Sequence, residues 1–110
     1  PRHLTLTIDP NGIARLTLNR PEVKNAFNED LIGEIADTMG RLSAEKSVRA
    51  VVMTGAGDTF CAGADLSMMK RAAGYSAAEN KQDARRLAYM LNSIYACEKP
   101  VIALVNGHCM

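Results

Sequence analysis

Leu4, Leu6 and Ile8 alternate with Thr5, Thr7 and Asp9, the period-two pattern of a half-buried strand. Asp9-Pro10-Asn11-Gly12 follows, with proline suited to the first turn position and Asn-Gly to positive φ. Ala14, Leu16 and Leu18 then alternate with Arg15, Thr17 and Asn19, so residues 4–19 read as a β-hairpin. Arg20-Pro21 ends it, because proline lacks a ladder donor and pushes the residue before it out of the helical region. Asn28 is a candidate N-cap, with Glu29 and Asp30 in the first turn and Leu31, Ile32, Ile35, Ala36, Met39 and Leu42 along one helical face. The apolar, β-branched run Val48 to Met53 predicts a strand buried on both faces. A loop through Phe60 to Asp65 leads into a short helical piece, Leu66 to Ala73. Ser76 and Glu79 then form a capping box ahead of a second apolar stripe at Ala84, Leu87, Ala88, Leu91, Ile94 and Tyr95. Pro100 stops that helix, and Val101 to Val105 predicts another fully buried strand, closed by Asn106-Gly107.

Strand, helix and strand in this order imply a parallel crossover, while the hairpin is antiparallel; the class is α/β with mixed pairing. The 110 residues suit one domain and bury about two-thirds of the unfolded surface. A parallel sheet needs helices on both faces, and the sequence supplies too few. Residues 1–110 are therefore expected to be a portion of a single longer domain, truncated after the strand at 101–105; the alternative is a partner chain that supplies the rest.

Charge removes several functions. Thirteen basic residues against twelve acidic ones give a net charge of +1, with no long run of one sign. That argues against a nucleic-acid footprint or a polybasic membrane patch. The longest apolar stretch, Val101 to Val105, is far short of the roughly 20 residues a bilayer span needs. Cys61, Cys97 and Cys109 form neither a disulfide framework nor a metal clip and are expected to be small apolar residues in a reducing, cytoplasmic setting. No metal or other cofactor is expected.

The segment richest in candidate chemistry is Gly55 to Leu66. Its glycines let the backbone approach a ligand or take positive φ. Ala62-Gly63-Ala64 precedes a helix start at Asp65-Leu66, where an unpaired N–H and the helix dipole could stabilise an oxyanion. The same small residues also suit a tight strand-to-helix connection that only relieves crowding, and the residues alone leave both readings open. The spacing matches neither a P-loop nor a dinucleotide fingerprint. His3 reads as solvated, and His108 as structural or terminal. Met68, Met69, Met90 and Tyr95 suit core packing better than a cavity lining. No serine triad or catalytic carboxylate pair is evident. Lys24 stands out among the basic residues, lying in a loop beside small Ala26.

Three motifs resemble one family. Leu18-Asn19-Arg20-Pro21-Glu22-Val23-Lys24-Asn25-Ala26 resembles the N-terminal motif of the enoyl-CoA hydratase/isomerase (crotonase) superfamily. Val51-Val52-Met53-Thr54-Gly55, followed by Phe60-Cys61-Ala62-Gly63-Ala64-Asp65-Leu66, is similar to its first oxyanion-hole segment. Lys99 to Gly107 is similar to the strand leading to the second. The resemblance implies a crotonase-like spiral of ββα units, of which this chain is the N-terminal part, assembled as homotrimers or hexamers. It implies an enzyme, a lyase of fatty acid or branched amino acid degradation, that acts on acyl-CoA as substrate.

In that family the amide at the position of Ala64 polarises the thioester carbonyl, and the positions of Lys24, Ala26, Ala62, Asp65 and Leu66 line the CoA channel. The second oxyanion donor and the glutamates of hydratases would lie beyond Met110, so these residues alone are not expected to turn over substrate. Hydration of a 2,3-enoyl-CoA is the expected activity, with isomerisation or a non-catalytic CoA-binding fragment as alternatives. Phe60 to Met69 is similar to hydratases of branched, carboxylated enoyl-CoA compounds, the methylglutaconyl-CoA type. Some eukaryotic relatives of that type bind RNA through a lysine-rich first helix. The matching stretch here carries Glu29, Asp30, Glu34, Asp37 and Glu45 against Arg41 and Lys46, which argues against that function.

Overall fold

A computed structural model of the chain describes residues 3–109. The hairpin forms as its alternation predicts. Strands β1 (Leu4–Ile8) and β2 (Ile13–Leu18) pair antiparallel in a register that sets Leu4 opposite Leu18 and Leu6 opposite Leu16. Asp9 closes the turn, its carboxylate accepting from the amides of Asn11 and Ile13. Helix α1 (Glu29–Ala44) starts where Asn28 caps it, the Asn28 side chain accepting from the Leu31 amide at 2.9 Å. Its apolar face, Leu31, Ile35, Met39 and Leu42, is buried with Ala14, Leu16, Leu18 and Val51 of the sheet, and this layer is the core. Burying a side chain of this size contributes about 1.5–3 kcal/mol each.

Strand β3 (Ala50–Gly55) lies parallel to β2, and β5 (Val101–Ala103) lies parallel to β3, giving a four-stranded sheet in the order β1-β2-β3-β5. The expected α/β class with mixed pairing is observed. Two details differ from expectation. β3 spans 50–55 rather than 48–53, because its register is set by Ile13 to Leu18 of β2. It alternates buried and half-buried residues instead of burying both faces, since the face opposite α1 has little over it among the described residues.

The strand expected to be fully buried at 101–105 is the larger departure. Only Val101 to Ala103 is strand, and Ile102, Leu104 and Val105 stand about half exposed. β5 is the sheet edge, with a neighbour on one side only.

Helix α2 (Leu66–Ala72) is short, and α3 (Ala77–Tyr95) begins at the predicted capping box, with Ser76 Oγ accepting from the Glu79 amide. α3 packs against α1 through Met90, which is fully buried; of the predicted stripe Ile94 packs against the core, while Leu87, Leu91 and Tyr95 are left exposed. A second sheet was not foreseen: β4 (Thr59–Cys61) pairs parallel with β6 (His108–Cys109), which gives His108 a place in a strand. His3, expected to be solvated, is half-buried and donates its amide to the Glu34 carboxylate. All three cysteines are free: Cys61 is buried, Cys97 half-buried and Cys109 exposed. No helix among the described residues is long and apolar enough to cross a membrane, and no cluster of His, Cys, Asp or Glu among them could hold a metal ion.

Candidate active site

The site is assembled by two loops, one following β2 and the other following β4. In the first, Pro21 opens a single 3-10 turn, Pro21–Val23, and the chain then takes left-handed φ at Lys24 (54°) and Asn25 (58°). Two successive non-glycine residues in this region are costly, on the order of 1 kcal/mol each, and less for asparagine. The surroundings supply the compensation. Asn25 is fully buried; its Oδ1 accepts from the Arg20 amide at 2.8 Å, and its Nδ2 donates to the carbonyls of Thr59 (2.8 Å) and Ala56 (2.9 Å). The asparagine thereby pins the first loop to the turn between β3 and β4. Gly55 permits that approach, because a Cβ there would stand 2.7 Å from the Phe60 carbonyl oxygen and 2.9 Å from Asn25 Nδ2.

The second loop, residues 61–65, runs beside the first. The Ala62 amide donates to Lys24 O (3.0 Å), the Phe27 amide to Gly63 O (2.7 Å) and the Asp65 amide to Phe27 O (2.7 Å), making a parallel bridge between Phe27 and Ala64. In this pairing Phe27 makes both bonds and Ala64 makes neither. The reason lies in one peptide plane. The Gly63 carbonyl and the Ala64 N–H belong to the same trans unit and point in opposite directions. With the carbonyl turned toward Phe27, the N–H is turned away from the first loop. Ala64 is exposed, and no group among the described residues accepts its hydrogen bond. Gly63 takes φ 95° in the turn before it, and its amide donates to Cys61 Sγ at 3.4 Å.

Asp65 ends the loop by capping α2, its Oδ1 accepting from the Met68 amide at 3.0 Å, while its Oδ2 meets Arg20 Nη2 at 3.3 Å. The second guanidinium nitrogen, Nη1, donates to the Ala26 carbonyl. Both side chains are buried. The Met68 amide, with help from Arg20 and against the cost of burial, holds the Asp65 carboxyl below its ordinary value. Burial pushes the Cys61 thiol up.

The sequence-predicted residues converge here. Ala26 is buried beside the first loop, Ala62 is half-buried in the second, and Leu66 is 72% exposed at the start of α2. Lys24 extends from the rim with its Nζ 3.7 Å from Asp58 Oδ1, both side chains largely exposed. Such a pair is worth little and leaves the lysine available to other anions. Arg20 and Asn25 were read only as letters of a motif. The bonds from Arg20 to Asp65 and from Asn25 to Ala56 and Thr59 span 31 to 45 residues, beyond the reach of any local pattern.

Two apolar clefts flank this assembly. One of about 660 Å³ lies between the three helices and is lined by Ile32, Ala36, Met68, Met69, Leu87 and Tyr89 among others. The other, about 500 Å³, lies between the sheet and the end of α3, with Leu18, Phe27, Phe60, Leu91 and Ile94 in its walls. Met69 and Tyr95 stand exposed in cleft walls, contrary to the core role expected of them, whereas Met90 has that role and Met68, though it lines the first cleft, packs against the core. Ala64 lines neither cleft.

Comparison with known proteins gives this geometry a family. The family model of enoyl-CoA hydratase/isomerase matches residues 9–110. The short-chain-enoyl-CoA hydratase of Clostridium acetobutylicum is 37% identical over 103 residues, 89% of this chain and 37% of its own length. The crystal structure of an enoyl-CoA hydratase from Shewanella pealeana superposes with a TM-score of 0.92 at 30% identity, covering 96% of this chain and 39% of that one. An enoyl-CoA hydratase structure from Mycobacterium smegmatis gives 0.87 at 36% identity, over 94% of this chain and 39% of that one. The chain spans between 35% and 40% of the length of the curated relatives it matches. With the family model matched over residues 9–110 and the fold shared with these structures, the chain belongs to the enoyl-CoA hydratase/isomerase family.

Proposed function

We propose that the chain is the N-terminal portion of a single crotonase-like domain of an acyl-CoA-binding enoyl-CoA hydratase. The observation that carries this reading is the Ala64 N–H, held outward by the Phe27 bridge and without an acceptor among the described residues. Hydration of a 2,3-enoyl-CoA places hydroxide on C3 and a proton on C2. The intermediate carries its negative charge on the thioester oxygen, and a fixed N–H directed at that oxygen lowers the barrier; one such donor is worth about 3–4 kcal/mol. Because the donor is held by peptide geometry and two backbone hydrogen bonds, little reorganisation is needed as the charge develops.

Lys24, Ala26, Ala62, Asp65 and Leu66 form the wall along which the CoA moiety would lie, with Lys24 drawing its phosphates to the rim. The Asp65 carboxylate stays ionised at neutral pH and is engaged by Arg20 and the Met68 amide, so it is assigned neither the acid nor the base. Acyl-CoA enters as substrate, and no further cofactor is needed for this chemistry. A homotrimer or hexamer in the cytoplasm, without nucleic-acid or membrane partners, completes the reading. The hydratase names of the relatives support it over isomerisation. The family's shared description keeps the isomerase as the second reading.

Full-length protein mixed with crotonyl-CoA should bleach the enoyl thioester absorbance, and no change across straight and branched enoyl-CoA substrates would reject the hydratase. Conversion of a 3-enoyl-CoA to its 2-enoyl isomer, without hydration, would establish the second reading. Calorimetric titration of the 110-residue chain with acetoacetyl-CoA separates a CoA-binding piece from one that binds nothing at millimolar ligand.

A further inference from the structure

We propose that Arg20 orients and polarises the Ala64 N–H through two hydrogen-bonded peptide units, which makes it a positioning residue for the oxyanion donor. The proposal rests on the reading of Ala64 just given. The connection can be followed atom by atom. Arg20 Nη1 donates to the Ala26 carbonyl. That carbonyl shares a peptide plane with the Phe27 N–H, which donates to the Gly63 carbonyl at 2.7 Å. The Gly63 carbonyl in turn shares a plane with the Ala64 N–H. Guanidinium, peptide, peptide and outward N–H therefore stand in one line, every link a hydrogen bond or a rigid amide.

Two consequences follow. The plane of each peptide is set by the bond before it, so the aim of the Ala64 N–H depends on the Ala26 carbonyl being held. The charge also travels. A cationic donor makes a hydrogen bond roughly twice as strong as a neutral one. A chain of such bonds polarises each member in turn, by about 10–30% per bond. A positive charge at Arg20 thus leaves the Ala64 hydrogen more acidic than a neutral residue would.

The remaining contacts fit a residue kept for this purpose. Arg20 is 9% exposed, and its Nε is buried with no partner among the described residues. An orphaned buried donor carries a desolvation cost that an apolar residue filling the same space would avoid. Asp65 balances the charge through Nη2 at 3.3 Å but stands outside the relay, since its bond goes to the other nitrogen.

The test reads the polarisation directly, in full-length protein with 2,4-hexadienoyl-CoA as probe, whose conjugated thioester absorbs further to the red as its carbonyl is polarised. Wild-type protein should give a red shift that Ala64→Pro abolishes; a wild-type shift in that variant would overturn the Ala64 reading itself. Arg20→Gln keeps an amide donor but loses the charge. It should show a clearly smaller red shift and a kcat lowered about tenfold, with KM changed much less, because weakening one donor costs less than the 10²–10³ of losing it. Arg20→Lys should recover part of both.

Asp65→Asn breaks the ion pair while leaving the Arg20–Ala26 bond, so at saturating probe, where any change in CoA binding drops out, its red shift should be at least that of wild type. A merely structural salt bridge predicts equal losses for Arg20→Gln and Asp65→Asn. An unchanged shift and kcat in Arg20→Gln, or a reduced shift in Asp65→Asn should the glutamine variant not fold, would overturn the relay and leave Ala64 standing.

Discussion

The two long helices carry apolar stripes of similar spacing and meet opposite fates. On α1, Leu31, Ile35 and Met39 are wholly buried against β1, β2 and β3. On α3, Leu87, Leu91 and Tyr95 are 38%, 51% and 91% exposed, and Met90 alone is buried. The sheet repeats the contrast, with β2 closed into the core and the residues at and after β5 open. Periodicity states which side chains gain from cover; it does not state what provides the cover. The candidate active site sits at the boundary of these regions. Its inner parts, Asn25, Arg20 and Asp65, are buried, while Ala64 and Leu66 face out.

Substitutions can break that contrast. Leu16→Ala or Ile35→Ala in the 110-residue chain should cost about 2–5 kcal/mol, read as a lowered urea midpoint, because each leaves a cavity in a closed layer. A loss below about 1 kcal/mol would mean that the layer is not the cooperative core. Asn25→Ala should cost somewhat less, about 1–3 kcal/mol, by stranding the Ala56 and Thr59 carbonyls and by placing alanine in a left-handed position. Asn25→Gly relieves only the second cost, so it should recover part of the loss.

The pH dependence of stability sharpens the picture from two sides. The folded Asp65 carboxyl lies below its ordinary value of 3.8, so its contribution is complete above that value and is lost as the pH falls through the folded one. Asp65→Asn should flatten the acid limb of the stability curve. Cys61 is raised above 9.0 by burial, so its neutral thiol favours the fold until the unfolded chain ionises, and stability falls as the pH rises past that point. Cys61→Ala should remove that alkaline slope. Smallest of all, Leu91→Ala and Tyr95→Ser should change stability by no more than about 0.5 kcal/mol. A cost near that of Ile35→Ala would show the outer face to be covered in solution.

Much of the fold was legible because its signals are local. The Asp9–Gly12 turn, the Asn28 cap and the Ser76–Glu79 box each lie within four residues of the structure they specify. The β4–β6 pairing was not legible, since strands of three and two residues carry no period. Exposure at β5 was not legible either, for Val101 to Val105 has the same composition as a strand that is covered. In the site, small residues marked the Ala62–Ala64 loop, and the order of three motifs marked the family. The roles of Arg20 and Asn25 depend on the turn that brings Ala26 back to Arg20 and on a second loop from a distant part of the chain, and arginine before proline signals only the strand's end until Ala26 and Asp65 stand beside it.

The most direct test of the account removes the Ala64 hydrogen. Full-length Ala64→Pro, with its fold verified by circular dichroism and thermal melting, should lose about 10²–10³ in kcat for enoyl-CoA hydration while retaining acetoacetyl-CoA binding. Turnover within tenfold of wild type in that folded variant would mean that another group stabilises the oxyanion, and the central assignment would be wrong.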